Sequence, residues 1–179
     1  MGIVFRVQPI LKHARIVGRQ MSNAKVILVA DDDENDVFFL RRAFAKSGLL
    51  HTVIHVSDGD KAIEYLLGEG IYADRKSNPF PDLLLLDLKM PKTDGFDVLA
   101  ALRSLPQLDL PIVVFSTSAL MVDIQTAKKL GAIDYIPKPV DQDEMIKVAL
   151  TVHERWLSGP SPAKIDSAAD VLPRKQHLP

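Results

Sequence analysis

Cysteine is absent from the 179 residues. That excludes disulfides, thiol catalysis and cysteine-ligated metals. Histidine is sparse, and the five present, His13, His51, His55, His153 and His177, form no short ligand-like cluster. His51 and His55 stand four apart, but His55 falls in a stretch that reads as strand, so the pair makes a poor zinc site. Neither sign of charge is in excess: the formal net charge is -1, which argues against a chain whose bulk binds nucleic acid. Long apolar runs are missing from the start of the chain. Within residues 1–20 the apolar stretches are too short and too interrupted for a signal peptide or a membrane span. No glycine-rich loop follows the first strand-like stretch, and the carboxylates there would repel phosphates. A nucleotide-binding module therefore ranks last among the function classes. What is present, 47% hydrophobic and 25% charged residues, suits one globular domain with tails.

Residues 1–20 carry Arg6, Lys12, His13, Arg15 and Arg19 and no acid. They admit a weak amphipathic helix over 9–17 but read better as a disordered extension, with the functional domain starting near Met21. Residues 158–179 hold four prolines and one glycine without sustained periodicity, and read as a tail. The expected division is an extension over 1–23, a folded domain over 24–157 and a tail over 158–179.

The stretch that orders the rest is Leu83, Leu84, Leu85 and Leu86 running into Asp87, bounded by Pro81 and Pro91. So short an apolar run predicts a strand buried on both faces, as at the centre of a parallel sheet. Asp87 then lies at the carboxyl end, where open α/β sheets bind ligands. Lys25–Ala30 predicts a first strand, followed by Asp31, Asp32, Asp33, Glu34, Asn35 and Asp36. Asp33 to Asp36 suit a solvated helix start. Asp31 and Asp32 stand at the strand edge instead. Helices are predicted over Asp36–Ser47 (Val37, Leu40, Ala43 and Phe44 inward) and Asp60–Leu67 (Ala62, Ile63, Leu66 and Leu67 inward), with a strand over Thr52–Val56 between them. Residues 68–81 predict a long loop anchored by Tyr72 and Phe80. Beyond Asp87 come a helix over Phe96–Ser104, packing through Phe96, Leu99, Ala100 and Leu102, and a strand over Ile112–Phe115. A helix over Met121–Leu130, a strand over Ile133–Ile136 and a helix over Asp141–Leu157 complete the order.

Five strands alternating with five helices predict a three-layer α/β sandwich around a parallel sheet. Asp31, Asp32, Asp87, Ser116 and Lys138 then share one sheet edge. Converging carboxylates need a cation, and oxygen ligands suit Mg²⁺. The Ser116 hydroxyl and the Lys138 ammonium can contact the oxygens of a phosphoryl group, whose transfer needs mainly positioning and charge stabilisation. A carboxylate nucleophile is reasonable and yields an acyl phosphate. The new charge, about -1.5 to -2, could draw Ser116 and Lys138 toward it and reshape the loops. A Mg²⁺-dependent phosphatase with an aspartyl nucleophile is a second reading, but it would want an acid two residues after the nucleophile, where Lys89 stands.

Over residues 24–157 the chain resembles the receiver domains of two-component response regulators. Asp31 and Asp32 resemble the family's acidic pair, Asp87 in the Leu83–Pro91 stretch its phosphorylated aspartate, Ser116 its Ser/Thr, Lys138 its lysine and Tyr135 its switch aromatic. The spacings agree: 29 residues from Asp87 to Ser116 and 22 more to Lys138. The resemblance implies a CheY-like, flavodoxin-like (βα)5 fold with its parallel sheet in the order 2-1-3-4-5. It implies Mg²⁺ held by Asp32, Asp87 and the backbone carbonyl of Lys89, with Asp31 acting partly through water. It also implies a cis Lys138–Pro139 peptide. The long segment 68–81 with Tyr-Ala-Asp at 72–74, and the stretches 80–83 and 114–119, resemble stand-alone receivers related to those paired with cyanobacterial and bacterial phytochromes. Ala30, where a large aliphatic is usual, and Glu34, where many members carry proline, depart from the pattern without touching a key position. The chain is thus expected to be a cytoplasmic single-domain response regulator rather than an enzyme. It would take a phosphoryl group from a sensor histidine kinase, phytochrome-like in type, and signal by protein contact. A phosphorelay intermediate serving a histidine phosphotransfer protein is the alternative. The 22 residues after Leu157 leave no room for a DNA-binding module, so nucleic acid and membrane are not expected partners. A homodimer through the fourth helix, fifth strand and fifth helix is.

Overall fold

Leu83 to Leu86 are each 1% exposed or less, and they form the middle strand of a five-stranded parallel sheet. Burying a leucine this fully contributes about 1.5–3 kcal/mol, so this strand is a major source of the domain's stability. The computed structural model describes residues 24–105 and 108–160; the expected extension, and all of the expected tail beyond residue 160, lie outside them. In chain order the elements are β1 (Val26–Ala30), α1 (Glu34–Lys46), β2 (Thr52–Val56), α2 (Gly59–Leu67), a 3-10 turn (Gly70–Tyr72), β3 (Leu83–Leu86), α3 (Gly95–Arg103), β4 (Ile112–Ser116), α4 (Met121–Lys129), β5 (Asp134–Pro137) and α5 (Gln142–Val152). A π-helical turn, His153–Leu157, continues α5. The sheet is parallel, as the alternation of elements predicts, and its order is β2-β1-β3-β4-β5, as the family resemblance implies.

Strand alternation sorts the core into two layers. Leu28, Ala30, Leu84, Leu86 and Val114 face α2, α3 and α4. Ile27, Val29, Leu83, Leu85, Val113 and Phe115 face α1 and α5. Helix starts follow local chemistry. Asp33, Asp58, Asp94 and Asp141 each accept a backbone N–H of the first helical turn, so these four helices begin just after an aspartate.

Some sequence expectations are corrected. α1 starts at Glu34 rather than Asp36, because Asp33 is its cap. In α2 the fully buried aromatic is Tyr65, which shares the inward face with Ala62 and Leu66. In α3 Val98 packs inward while Ala100 is exposed. Ile133 lies before β5 and is 51% exposed. No cis peptide occurs among the described residues, so Lys138–Pro139 is trans. Before proline the two isomers differ by only about 0.5–1 kcal/mol, and local packing decides between them.

Candidate functional site

The sheet ladder runs one residue past its strands and sets the polar edge. Asp31 N–H donates to Val56 O (3.0 Å), Asp87 N–H to Ala30 O (2.9 Å) and Lys138 N–H to Ser116 O (2.9 Å). Asp31 and Asp87 therefore stand side by side on adjacent strands, with Ser116 and Lys138 at the ends of the next two. By alternation Asp31 and Asp87 share the face of Val29 and Leu85, toward α1 and α5.

Lys138 is the centre of the charge arrangement. Its Nζ lies 2.8 Å from Asp31 Oδ2, 2.9 Å from Asp36 Oδ2 and 2.9 Å from Asp87 Oδ2. An ammonium has three protons, and three carboxylates accept them. The Lys138 side chain is 4% exposed, so burial alone would favour its neutral form, but the hydrogen bonds to Asp31, Asp36 and Asp87 hold its pKa above the ordinary lysine value. Asp31 shifts upward because burial outweighs the help of Lys138 and of the Asp33 amide. Asp36, which the sequence reading left to the helix start, belongs to this cluster. The signal for it was its place in the first turn of α1, directly after the strand edge.

One oxygen each from Asp31, Asp32 and Asp87 lie within 4.8 Å of one another, with Asp32 exposed and the other two buried. Three carboxylates thus contact one ammonium, and a fourth, Asp32, stands beside two of them on the open side. An all-oxygen set with an open, wet side and an excess of negative charge fits Mg²⁺ or a similar hard divalent cation.

Asp87 Oδ1 accepts the Leu88 and Lys89 amides at 2.6 and 3.3 Å, while its Oδ2 faces Lys138. Helix α3 begins almost on top of this backbone. A Cβ on Gly95 would overlap the Asp87 carbonyl and come within 2.7 Å of Leu88 Cα, so glycine is needed there. The Ser116 hydroxyl is fully buried and has no hydrogen bond of good geometry among the described residues. Tyr135 lies nearby, but its hydroxyl donates to Ser118 O at 2.8 Å. Partial burial raises the Tyr135 pKa against the opposing effects of Ser118 and of the neighbouring Ser116 hydroxyl.

The two histidines four apart are separated by the fold. His55 Nε2 meets Asp31 O at 2.8 Å, behind the carboxylate cluster, whereas His51 pairs with His153 at the opposite end of the sheet. His55 was missed as a site residue. Only the pairing of β1 with β2 brings it there.

The family model for the response regulator receiver domain matches residues 27–150. Response regulator Rcp1 of Synechocystis sp. is 32% identical over 134 residues, which covers 74% of this chain and 89% of Rcp1. Among solved structures, the phosphorylated cyanobacterial phytochrome response regulator RcpA superimposes with a TM-score of 0.71 at 37% identity, covering 78% of this chain and 99% of RcpA. The Mn²⁺-bound form of Rcp1 gives 0.68 at 32% identity over 78% and 99% of the two chains.

Proposed function

This chain belongs to the response regulator receiver domain family, and from that premise we propose that it is a stand-alone phosphoacceptor of a two-component system, with Asp87 as the acceptor. The observation that carries the reading is the Ser116 hydroxyl, buried beside the Asp87 strand end with no well-formed hydrogen bond among the described residues. A buried hydroxyl left unpaired is costly, and an incoming phosphoryl oxygen would satisfy it.

In the proposed reaction an Asp87 carboxylate oxygen forms the new P–O bond as the P–N bond to a kinase histidine breaks. The departing electron pair stays on the imidazole, which leaves neutral when its other ring nitrogen carries a proton. Lys138 already points at Asp87 and would compensate the added charge. Asp31, Asp32, Asp87 and the Lys89 carbonyl would hold Mg²⁺. When bound, the ion supplies charge compensation to the transferring phosphoryl oxygens.

The proposed donor is a sensor histidine kinase of phytochrome type, supported by the likeness to the phytochrome response regulator RcpA. The proposed setting is the cytoplasm, where ATP, the ultimate phosphoryl source, is held. Among the described residues no helix is long and apolar enough to cross a membrane. Output would pass through α4, β5 and α5, where Leu120, Met121 and Val122 are each more than 60% exposed.

Intact-mass measurement after incubation with acetyl phosphate and Mg²⁺ tests the acceptor. One labile phosphoryl adduct is expected on the native chain and none on Asp87→Asn. An adduct retained by that variant would move the nucleophile elsewhere.

A further inference from the structure

The loop Leu88–Asp94 follows Asp87 directly and carries Lys89 on an exposed surface. Within it Lys92 adopts a left-handed backbone, φ 65°. Such a conformation is unfavourable for a residue with a side chain and persists where its surroundings hold it. Here the holding groups come from the turn that opens α2.

Gly59 N–H donates to Thr93 O at 3.2 Å. The Thr93 hydroxyl donates to the Asp60 carboxylate. Lys92 Nζ donates to Asp58 Oδ2 at 3.2 Å, while Asp58 Oδ1 accepts the Lys61 amide at 3.0 Å and caps α2. Asp58 is 3% exposed; burial works against its charge, yet the Lys61 amide and Lys92 hold its pKa below the ordinary value. Contact at Gly59 is so close that an added Cβ would overlap the Thr93 carbonyl and lie 2.7 Å from Val98 Cγ2. Gly59 has no left-handed φ, so its lack of a side chain serves the approach and not the turn.

We propose that Gly59 and Asp60 are positioning residues for the acceptor loop, strapping Thr93 so that the Lys89 carbonyl is held where it can join the Asp87 carboxylate on a divalent cation. This rests on the receiver reading above. A purely local role would stabilise α2 alone. A strap also fixes the backbone at Thr93, within the loop that carries Lys89 and follows Asp87 directly in the chain.

Three substitutions separate these roles. Gly59→Ala places the better helix former in α2 while forcing the Thr93 backbone away. Thr93→Val keeps the shape and removes the hydroxyl, and Thr93→Ser restores it. Mg²⁺ is titrated while amide shifts are followed by NMR, and hydrogen exchange is measured on the metal-free proteins. Gly59→Ala is expected to weaken Mg²⁺ binding about tenfold, in line with other groups that orient metal ligands. Thr93→Val is expected to weaken it about threefold, the size of one exposed hydrogen bond. Thr93→Ser should bind as the native chain does. In the metal-free variants exchange should quicken across Lys89–Gly95 while the β1 and β3 amides stay as they were. If Gly59→Ala does not fold, the Thr93 pair decides. Native protein with no Mg²⁺-dependent shifts would overturn the receiver reading and this inference together. Native binding with unchanged Thr93→Val, or equal losses in Thr93→Val and Thr93→Ser, would overturn this inference alone.

Discussion

At the amino end of the sheet, His51 Nδ1 accepts the Lys25 amide at 3.2 Å. Its proton must then sit on Nε2, which faces His153 Nδ1 at 3.0 Å. Protonating His51 would break the first bond, and protonating His153 at Nδ1 would break the second. Burial, the neighbouring His153 and the buried Lys25 push the His51 pKa down to about 4, with Asp82 opposing. The fold therefore favours neutral His51. The stability it contributes is complete above the unfolded value near 6.5 and is lost as pH falls from there toward 4. Urea unfolding at pH 7.5 and pH 5 should show a loss on the order of 2 kcal/mol. His51→Asn keeps an acceptor for Lys25 without the titration, and should flatten most of that difference. An equal slope in the variant would assign the pH dependence to other groups.

Among the elements, α2 is held at both ends. Its carboxyl end meets the irregular stretch after it through Arg75, whose Nη1 donates to Tyr65 O and Nη2 to Leu66 O, both at 2.7 Å. The guanidinium also lies 5.9 Å from the Tyr65 ring centre and 5.8 Å from that of Phe80. Tyr65 returns a bond, its hydroxyl donating to Pro79 O at 2.7 Å. Tyr72 and Phe80 do pack on the core as the sequence reading expected, but Arg75 is the group that joins loop to helix. Arg75→Met takes the guanidinium donor from Leu66 O, while Tyr65 O keeps the Gly68 amide, and should lower stability by about 1–3 kcal/mol in urea unfolding. Arg75→Lys should recover little, since one ammonium cannot reproduce the planar fork. Full recovery by lysine would show that charge alone matters there.

For the whole molecule, the proposed output requires two states with different affinity for a partner, not mere nearness of a face to the acceptor. Lys138 directly follows β5, the edge strand that carries Tyr135 three residues before it. Exposed Leu120, Met121 and Val122 open α4 beside it. A second copy pairing through this face would cover them. Sedimentation with Mg²⁺ and a beryllofluoride mimic should shift from monomer to dimer, together with a change in Tyr135 exposure. An unchanged oligomeric state removes phosphorylation-driven dimerisation. Unchanged backbone shifts over residues 132–157 would remove the face itself.

Much of this was legible in the chain because it depends on local order. Four leucines ending in an aspartate can be buried on both sides only in a central strand, and the 3.6- and 2-residue periodicities set the alternation of elements. Strand polarity then sent Asp31, Asp87, Ser116 and Lys138 to one edge before any contact was known. What tertiary structure decided was which groups answer one another across that edge. Asp36 faces Lys138, His55 meets the Asp31 carbonyl, and Gly59 lies against Thr93. These pairs join residues 102, 24 and 34 positions apart. No periodicity encodes such contacts, because they arise from sheet order and crossover packing rather than from neighbours along the chain. Arg75 stayed hidden for the same reason: an arginine in a polar loop reads as solvated until the end of a helix is set beneath it.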